Sequence, residues 1–349
     1  SSNESLMSKP TRWTLKSIAK ELGVSNATVS NAFNRPDQLS AKRREAILKA
    51  CKELGYYGPN KAAQSLRSGT FNIVALVLPD SVEYMVSDPV ASSFMRGVTS
   101  VLEKNGINVL LFSGNSDNLN NVVDFVDGFI CYGRPRNKAL VEQLKTVQKH
   151  VVTVDFDIAR NASININNEQ ASYEIAKHVL HSATDNVAIL GLRLLDENVL
   201  CRVYEHHEFE TGQSISHQRL RGYQRALNEA NVTVADDRIW NIPESSERFA
   251  SIAAKEVLNA SPRPDVIICM SDLIALATMR EAIKQGIKIG NELRIVGFDG
   301  IEEAARFVPR LTTIHQNSQE KGVIAANLFI SKEEKQHEVG YALDIGASS

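Results

Sequence analysis

From about residue 70 onward, short apolar runs alternate with longer amphipathic stretches, and this alternation limits the possible fold more than any other feature. Runs such as Ile73–Leu78 and Val151–Phe156 are nearly continuous in Val, Ile and Leu, which is typical of strands buried on both faces of a parallel sheet. The strand-like runs are Ile73–Leu78, Ile107–Phe112, Gly128–Tyr132, Val151–Phe156, Val187–Leu190, Asp265–Met270 and Leu293–Phe298. The helices predicted around them are Val90–Asn105, Lys138–Lys149, Glu169–His181, Gln218–Ala230, Arg248–Ala260, Leu273–Gln285 and Ser318–Ile330.

The number of these units exceeds what one sheet of ordinary size holds, so we expect two α/β subdomains. A chain of 349 residues is also too long for one ordinary hydrophobic core. The weakly alternating segment His337–Ile345 is expected to be an edge strand. In folds of this class, ligands bind beyond the carboxyl ends of the strands, so we expect any ligand site there.

Charge is distributed unevenly along the chain. The first 69 residues hold 12 Lys and Arg against 5 Asp and Glu, whereas the remaining residues hold 27 against 36. A basic head on a larger acidic body indicates that the head binds a polyanion and the body does not.

The sequence also predicts the compartment. No run approaches the roughly 20 apolar residues that a membrane span needs, and no apolar leader is seen near the start, so we expect a cytoplasmic protein. The cysteines are far apart in the sequence and are expected to be reduced thiols. They are Cys51, Cys131, Cys201 and Cys269.

The head is predicted to consist of short helices. Apolar residues recur at helical spacing between Leu15 and Leu22, behind a possible Thr14 cap, and Gly23 breaks the pattern. Ser25 can cap a second helix. Two helices joined by a glycine turn within about 20 residues have helix-turn-helix spacing, and the second helix of that motif enters the major groove of DNA. A purely structural three-helix bundle with a polar surface is the alternative.

The side chains on the second helix suit contacts with DNA. Its outward face carries Asn26, Ala27, Ser30 and Asn31. An Asn side chain can bond to both N6 and N7 of adenine, and a small apolar side chain can touch the methyl group of thymine. Short polar side chains suited to phosphate oxygens are Thr14, Ser25, Thr28, Ser30 and Asn34.

The segment TLKSIAKELGVSNATVSNAFN, residues 14–34, resembles the DNA-binding headpiece of the LacI/GalR family of bacterial transcription regulators. The downstream segments SAKRREAILKACKELGY and PNKAAQSLRSG are similar to the third helix and the hinge of that family. Further segments of the body occur in family order, so the resemblance extends from Thr14 to the C-terminus. They are FMRGV, VDGFI, NNEQASYEIAKHVL, RLRGYQRAL, RPDVIICMSDLIALATMREA, LRIVGFDGIEEA and PRLTTIHQN.

The resemblance implies specific roles in the head. It implies base contacts by Asn26, Ala27 and Asn31, phosphate contacts by Thr14, Ser25, Ser30 and Asn34, and hinge contacts in the minor groove by Asn60, Ala63 and Leu66. Leu66 matches the leucine that wedges between base pairs and kinks the duplex. The chain departs from the family at two points: Tyr57 and Gly58 stand where one residue is usual, and Asn31 stands where several members have Arg.

The resemblance also implies the architecture: an all-α helix-turn-helix headpiece followed by a periplasmic-binding-protein-like α/β core of two parallel-sheet subdomains. We expect the headpiece at residues 11–57, the hinge at 58–69 and the core at 70–349. Within the core, 70–167 with 300–330 is expected to form one subdomain, and 168–299 with 331–349 the other.

A small effector is expected in the cleft between these subdomains. Arg219 and Asp299 match the cleft positions of the family, and a guanidinium and a carboxylate are sensible partners for a polar ligand. Weaker candidates are Asp155 and Asp272, of which Asp272 could equally serve the start of a helix. Tyr132 could stack on a ring or simply be a rim residue.

The leading interpretation is a homodimeric transcription regulator, in the role of a repressor, that binds a pseudo-palindromic double-stranded DNA operator under control of a sugar or related metabolite. No leucine-heptad tail is seen, which favours a dimer over a tetramer. The alternatives are a solute-binding protein without DNA activity and an α/β enzyme, but no nucleophile, phosphate-binding or cofactor motif supports the enzyme. We therefore expect no catalytic residue, cofactor or metal, and we interpret the segment His206–Glu210 as a solvated loop.

Overall fold

The computed structural model describes residues 12–158, 161–204, 209 and 211–349. The chain divides after Phe71 into a small N-terminal unit, the head, and a larger C-terminal unit, the body, which are described separately. The segment His206–Glu210, apart from Phe209, lies outside the described residues.

The head contains the predicted helices. They are α1 (Leu15–Leu22), α2 (Asn26–Asn34), α3 (Ala41–Glu53) and α4 (Lys61–Ser68). The side chains of Thr14, Ser25 and Ser40 cap α1, α2 and α3, each accepting a bond from a backbone N–H in the first turn. Gly23 ends α1 with φ at 68°, a left-handed conformation that favours glycine. The predicted caps at Thr14 and Ser25 and the glycine turn are therefore confirmed.

The head has its own small core. Its members are apolar side chains from α1, α2 and α3 together with the following turn. They are Ile18, Ala19, Val29, Ala32, Ile47, Cys51 and Tyr56. Ala19 and Ala32 have small side chains, which allows α1 and α2 to approach closely.

The first subdomain of the body is built on a six-stranded parallel sheet in the order β12-β5-β4-β3-β1-β2. Its strands are β1 (Ile73–Val77), β2 (Asn108–Phe112), β3 (Gly128–Tyr132), β4 (His150–Val154), β5 (Ala162–Asn165) and β12 (Gln336–Glu338). Its helices are α5 (Val82–Ser87), α6 (Pro89–Leu102), α7 (Lys138–Thr146) and α13 (Ser318–Ser331).

The second subdomain has a five-stranded sheet in the order β10-β9-β6-β8-β7, parallel except for β7. Its strands are β6 (Val187–Leu192), β7 (Cys201–Arg202), β8 (Ile239–Ile242), β9 (Val266–Cys269) and β10 (Arg294–Val296). Its helices are α8 (Asn168–Val179), α9 (Ile215–Glu229), α10 (Glu247–Leu258), α11 (Asp272–Lys284) and α12 (Glu302–Arg306). A separate antiparallel pair joins β11 (Thr313–His315) to β13 (Ala342–Asp344).

The chain passes between the subdomains three times: after β5, after β11 and after β12. The expected architecture of a helical head and two parallel-sheet subdomains is confirmed. The predicted division of the C-terminal segments needs correction. The strand β12 lies in the first sheet, because it bonds along β5, and not in the second as expected for residues 331–349. Conversely, Ala304 and Leu311 pack in the core of the second subdomain, although 300–330 was assigned to the first.

The helices α6 and α13 cross at two glycines. A Cβ atom built on Gly97 would lie 1.9 Å from the carbonyl oxygen of Gln319, and one on Gly322 would lie 2.2 Å from that of Phe94. The backbones can approach this closely only because neither position carries a side chain. In the part of the chain that the structure describes, none of the helices combines the length and apolarity needed to cross a membrane.

Candidate functional site

The second helix of the head presents a polar face. Asn26 and Ala27 are exposed and Asn31 is half-buried, while Val29 and Ala32 on the opposite side are buried in the core. The geometry thus leaves the three predicted base-reading side chains on the outward side of α2, which is what a recognition helix requires.

The predicted phosphate contacts lie at the ends and on the flank of this helix. Ser25 Oγ accepts a bond from the backbone N–H of Thr28 at 3.1 Å and lies 2.8 Å from its hydroxyl, and the hydroxyl of Thr14 caps α1. Asn34 is exposed, and Ser30 is half-buried. Several of these hydroxyls therefore cap helices, and their predicted contacts with DNA stay predictions.

The hinge segment forms the short helix α4. Asn60 caps it, its side-chain oxygen accepting a bond from the N–H of Ala62 at 3.0 Å, and Leu66 is 64% exposed. Ala63 lies half-buried on the same helix. An apolar side chain so exposed matches the predicted wedge, whose role stays a prediction.

The extra residue before the hinge is accommodated by a glycine. Gly58 has φ at 123°, and a Cβ atom there would lie 3.2 Å from the ring of Phe33. That ring meets Tyr56 edge to face, with 5.7 Å between the centroids. The turn at Gly58 therefore packs against aromatic side chains of the head.

In the body, a cavity of about 710 Å³ lies between the two subdomains, beyond the carboxyl ends of the strands. Both subdomains contribute charged and aromatic side chains to its lining. They include Asp88, Tyr132 and Asp155 from the first subdomain, and Arg193, Arg219 and Asp299 from the second. Four of the five predicted effector residues therefore lie together in this cleft.

Arg219, on the first turns of α9, is held on all sides. Its Nε donates to the side chain of Asn168 and its Nη1 donates to the carbonyl of Met270, both at 3.0 Å. Its guanidinium lies 3.6 Å above the ring of Phe298, and the residue is only 8% exposed. The arginine is preorganised, so a ligand would meet a fixed donor.

Asp299 follows β10 with φ at 127°, a conformation rare outside glycine. Its Oδ1 accepts a bond from Gln316 Nε2 at 2.6 Å. Burial raises the pKa of Asp299 well above its ordinary value, and the charge of Arg219 only partly offsets this. The half-buried carboxyl group of Asp299 lines the cavity.

Asp155, directly after β4, also has a left-handed backbone, with φ at 59°. Its Oδ2 accepts a bond from Lys321 Nζ at 3.1 Å, and the same ammonium donates to Gln316 Oε1 at 2.7 Å. Because Gln316 also bonds to Asp299, one buried chain of contacts links the two cleft carboxylates. Lys321 is 1% exposed and was missed by sequence reasoning, since its position on α13 reads as ordinary helix.

Tyr132 ends β3 and packs against Phe94, with 4.6 Å between the ring centroids. Burial raises the pKa of its phenol well above the ordinary value, and the nearby carboxylates Asp88 and Asp299 act in the same direction. The side chain lines the cavity, which fits both a ring-stacking residue and a rim residue.

The structure does not bring Asp272 to the cleft, so its assignment to effector binding is corrected. Its Oδ2 accepts bonds from the N–H groups of Gly300 and Ile301 at 2.8 and 2.9 Å, and its Oδ1 accepts from the Thr313 hydroxyl at 2.6 Å. The residue is fully buried and fixes the loop after β10. The helix cap is the neighbouring Ser271, whose hydroxyl accepts from the N–H of Ile274.

Two contacts that cross the cleft were also missed. Asp80, after β1, pairs with Arg193, after β6. The hydroxyl of Tyr84 accepts a bond from the N–H of Ser245 at 2.8 Å. Polar residues at strand ends were the available signal, but sequence alone does not show which strand ends face each other.

Comparison with known proteins identifies both units. The model of the family described as bacterial regulatory proteins, lacI family, matches residues 14–60. The model of the periplasmic binding protein-like domain matches residues 180–342. The HTH-type transcriptional regulator Rv3575c of Mycobacterium tuberculosis is 34% identical over 330 residues, covering 91% of this chain and 90% of the relative.

Solved structures with a similar fold are known. A LacI-family transcriptional regulator from Corynebacterium glutamicum is similar with a TM-score of 0.68 and 26% identity, covering 97% of this chain and 99% of the other. The lac repressor dimer bound to operator and the anti-inducer ONPF is similar with a TM-score of 0.71 over 97% and 99% of the two chains. At 20% identity, that second similarity concerns the fold.

Proposed function

As a member of the lacI family of bacterial regulatory proteins, this chain is a DNA-binding transcription regulator, and we propose that it is a cytoplasmic, homodimeric repressor controlled by a small polar effector. The observation that carries the proposal is the coexistence of an outward polar face on α2 with a cavity between two hinged subdomains. The first is suited to an operator, and the second to a ligand that changes how far the subdomains close.

On the operator side, Asn26, Ala27 and Asn31 read base edges in the major groove. Thr14, Ser25, Thr28, Ser30 and Asn34 contact phosphates, and Asn60, Ala63 and Leu66 meet the minor groove at the operator centre. Two heads of a dimer would then read two half-sites related by symmetry, so the operator is pseudo-palindromic.

On the effector side, the cavity favours an uncharged, polyhydroxylated ligand such as a sugar. Arg219 offers a fixed donor, Asp155 and Asp299 offer acceptors, and Tyr132 offers a ring face. Carboxyl oxygens suit the hydroxyl donors of such a ligand.

Operator binding is tested by selecting duplexes from a randomised pool with the purified full chain and titrating the selected sequence in gel shifts. We expect a pseudo-palindromic consensus and an affinity that falls by roughly a thousandfold or more between 50 and 200 mM salt. Asn31→Ala should cost about 1–3 kcal/mol and relax preference at one position of each half-site.

Asn34→Ala is the matched control, because a lost phosphate contact weakens all sequences alike. Equal losses on all sequences for Asn31→Ala would contradict its role in base reading. Repeating the titration with a panel of neutral sugars and their phosphates tests the effector. A response to the phosphates alone would contradict an uncharged ligand.

A further inference from the structure

Four residues bridge the two subdomains at the cleft through side chains or backbone groups. Asp80 bonds to Arg193, and Tyr84 bonds to Ser245. Asp80 and Tyr84 belong to the first subdomain, whereas Arg193 and Ser245 belong to the second. We call these four residues the cleft clasp.

Within the first subdomain, hydrogen bonds hold the carboxylate of Asp80 in place. Its carboxylate accepts bonds from the Ser81 N–H at 2.6 Å, from Asn115 Nδ2 at 2.9 Å and from Arg136 Nη1 at 3.2 Å, and its side chain is 7% exposed. Burial acts to raise the pKa of Asp80, but the bond from Ser81 and the charge of Arg193 outweigh it, so the pKa is lowered. The carboxylate is therefore held ionised and in place for a cation from across the cleft.

Arg193 is equally well anchored in the second subdomain. Its φ of 54° is left-handed, its N–H donates to the carbonyl of Ile242 at 2.9 Å, and its Nε donates to that of Pro243 at 3.0 Å. Its Nη2 reaches Asp80, and its guanidinium lies 5.6 Å from the centre of the Tyr84 ring. A strained backbone of this kind persists where the surroundings fix it, and it commonly marks a functional position.

The second bridge is made by the backbone N–H of Ser245, whose side chain contacts a residue of its own subdomain. Ser245 donates its N–H to the Tyr84 hydroxyl, and the Ser245 hydroxyl lies 2.9 Å from that of Ser271. Burial raises the pKa of Tyr84 well above its ordinary value, so the phenol stays neutral and able to accept.

The cleft clasp lies at a distance from the chain crossings about which the subdomains would rotate. The crossings after β5 and β12 leave the first sheet at its β5–β12 edge, and the crossing after β11 enters α13 beside Asp155 at the end of β4, whereas the clasp residue Asp80 follows β1. The strand β3 lies between β1 and β4, which places the clasp about 10 Å across the sheet from the nearest crossing. Contacts at this distance from a hinge resist its rotation directly.

We propose that the cleft clasp holds the two subdomains closed and that Arg193 makes closure sensitive to the ligand, since the same side chain lines the cavity. A ligand that strengthens the Arg193–Asp80 contact favours the closed body, and one that draws Arg193 away favours opening. This regulatory consequence rests on the proposed function, whereas closure itself does not.

The test measures the opening directly on the full chain, without operator or effector. Spin labels are attached through Lys138→Cys and Arg248→Cys in a Cys201→Ser background. Both labelled positions are exposed and lie on the first turns of α7 and α10, at the cleft-facing ends of β3 and β8. Labelled chains are diluted into unlabelled ones. We expect a short distance in the parent, and for Arg193→Ala a rise on the order of tenfold in the ratio of open to closed molecules.

Arg136→Ala is the matched control, because it removes a second cation from Asp80 but one that lies in the same subdomain. It should leave the distance unchanged, whereas Tyr84→Phe should open the body to a smaller extent than Arg193→Ala. An unchanged distance in Arg193→Ala, or equal opening in Arg136→Ala, overturns the clasp. An unchanged distance in Tyr84→Phe would show that the contact between Tyr84 and Ser245 does not help to hold the body closed.

If Arg193→Ala fails to fold, Asp80→Asn keeps the shape of the acceptor without its charge and answers the same question. Since no DNA or effector is present, failure of the clasp in this measurement is separate from failure of the proposed function.

Discussion

Two carboxyl groups, the buried Asp272 and the half-buried Asp299, show how one residue type serves two purposes in this body. Asp299 holds one oxygen to Gln316 and lines the cavity. Both carboxylate oxygens of Asp272 accept hydrogen bonds, from Gly300, Ile301 and Thr313. Asp299 thus lies in the cavity proposed for the effector, and Asp272 holds the loop that carries Asp299.

The buried position of Asp272 predicts a dependence of stability on pH. Burial raises the pKa of Asp272 to about 6, above its ordinary value of 3.8, so the folded chain binds this proton more tightly than the unfolded chain does. Its contribution to the free energy of unfolding is therefore largest below pH 4 and falls as the pH rises toward 6, by up to about 3 kcal/mol.

Asp272→Asn lacks this dependence. Denaturant unfolding of the parent and of Asp272→Asn between pH 4 and 7 should therefore show the difference between them shifting in favour of the variant as the pH rises. A difference that stays constant across this range would show that Asp272 titrates alike in both states.

At the scale of single residues, the sequence predicts which side chains have chemistry suited to a ligand better than it predicts which residues those side chains contact. Arg219 and Asp299 could be proposed because they match cleft positions of the family. Asp155 and Tyr132 could be proposed because they end strands, and strand ends meet at one edge of a parallel sheet. The error at Asp272 has the same origin: its partners lie on segments far along the chain, and only the folded loop shows that they use up its oxygens.

At the scale of elements, the crossing of α6 and α13 is the tightest packing feature of the first subdomain. The Gly97 position faces the backbone of α13, and Gly322 faces the backbone of α6. A clash with backbone cannot be relieved by turning a side chain, so any added atom must push the helices apart.

We therefore expect Gly97→Ala to destabilise the body. Overpacking should cost about 3 kcal/mol, against about 1 kcal/mol gained from the helix propensity of Ala, for a net loss of about 2 kcal/mol in the free energy of unfolding. Gly340→Ala is the control, because a Cβ atom there would meet nothing within 4 Å. A stabilised Gly97→Ala would show that the helices have room to separate.

Elements with a long apolar run were predictable, and those without one were not. The strands β5 and β8 were missed because Ser163, Asn165 and Asn241 interrupt their apolar pattern, although all lie in the sheets. The strand β12 was assigned to the wrong subdomain because its residues are polar and mostly exposed. Its pairing with β5 is a long-range contact that no local pattern contains.

At the scale of the whole molecule, the chain has separate cores in its head and its body. The head contains only a few fully buried apolar side chains, and units of about 60 residues are marginally stable because they bury a small share of their surface. The body buries far more apolar surface across two sheets. Because the head and the body have cores of unequal size, we expect the chain to unfold in two steps, the head before the body.

The two tryptophans of the chain make these steps separable, since each unit holds one. Trp13 donates through Nε1 to the carbonyl of Leu54 in the head, and the buried Trp240 donates to Glu256 in the second subdomain. We expect urea unfolding followed by fluorescence to show an early transition of shallow slope and a later, steeper one, because the slope scales with the surface exposed. Trp13→Phe should abolish the early signal and leave the midpoint of the later one unchanged. A single transition that moves with Trp13→Phe would mean that the head and the body unfold as one cooperative unit.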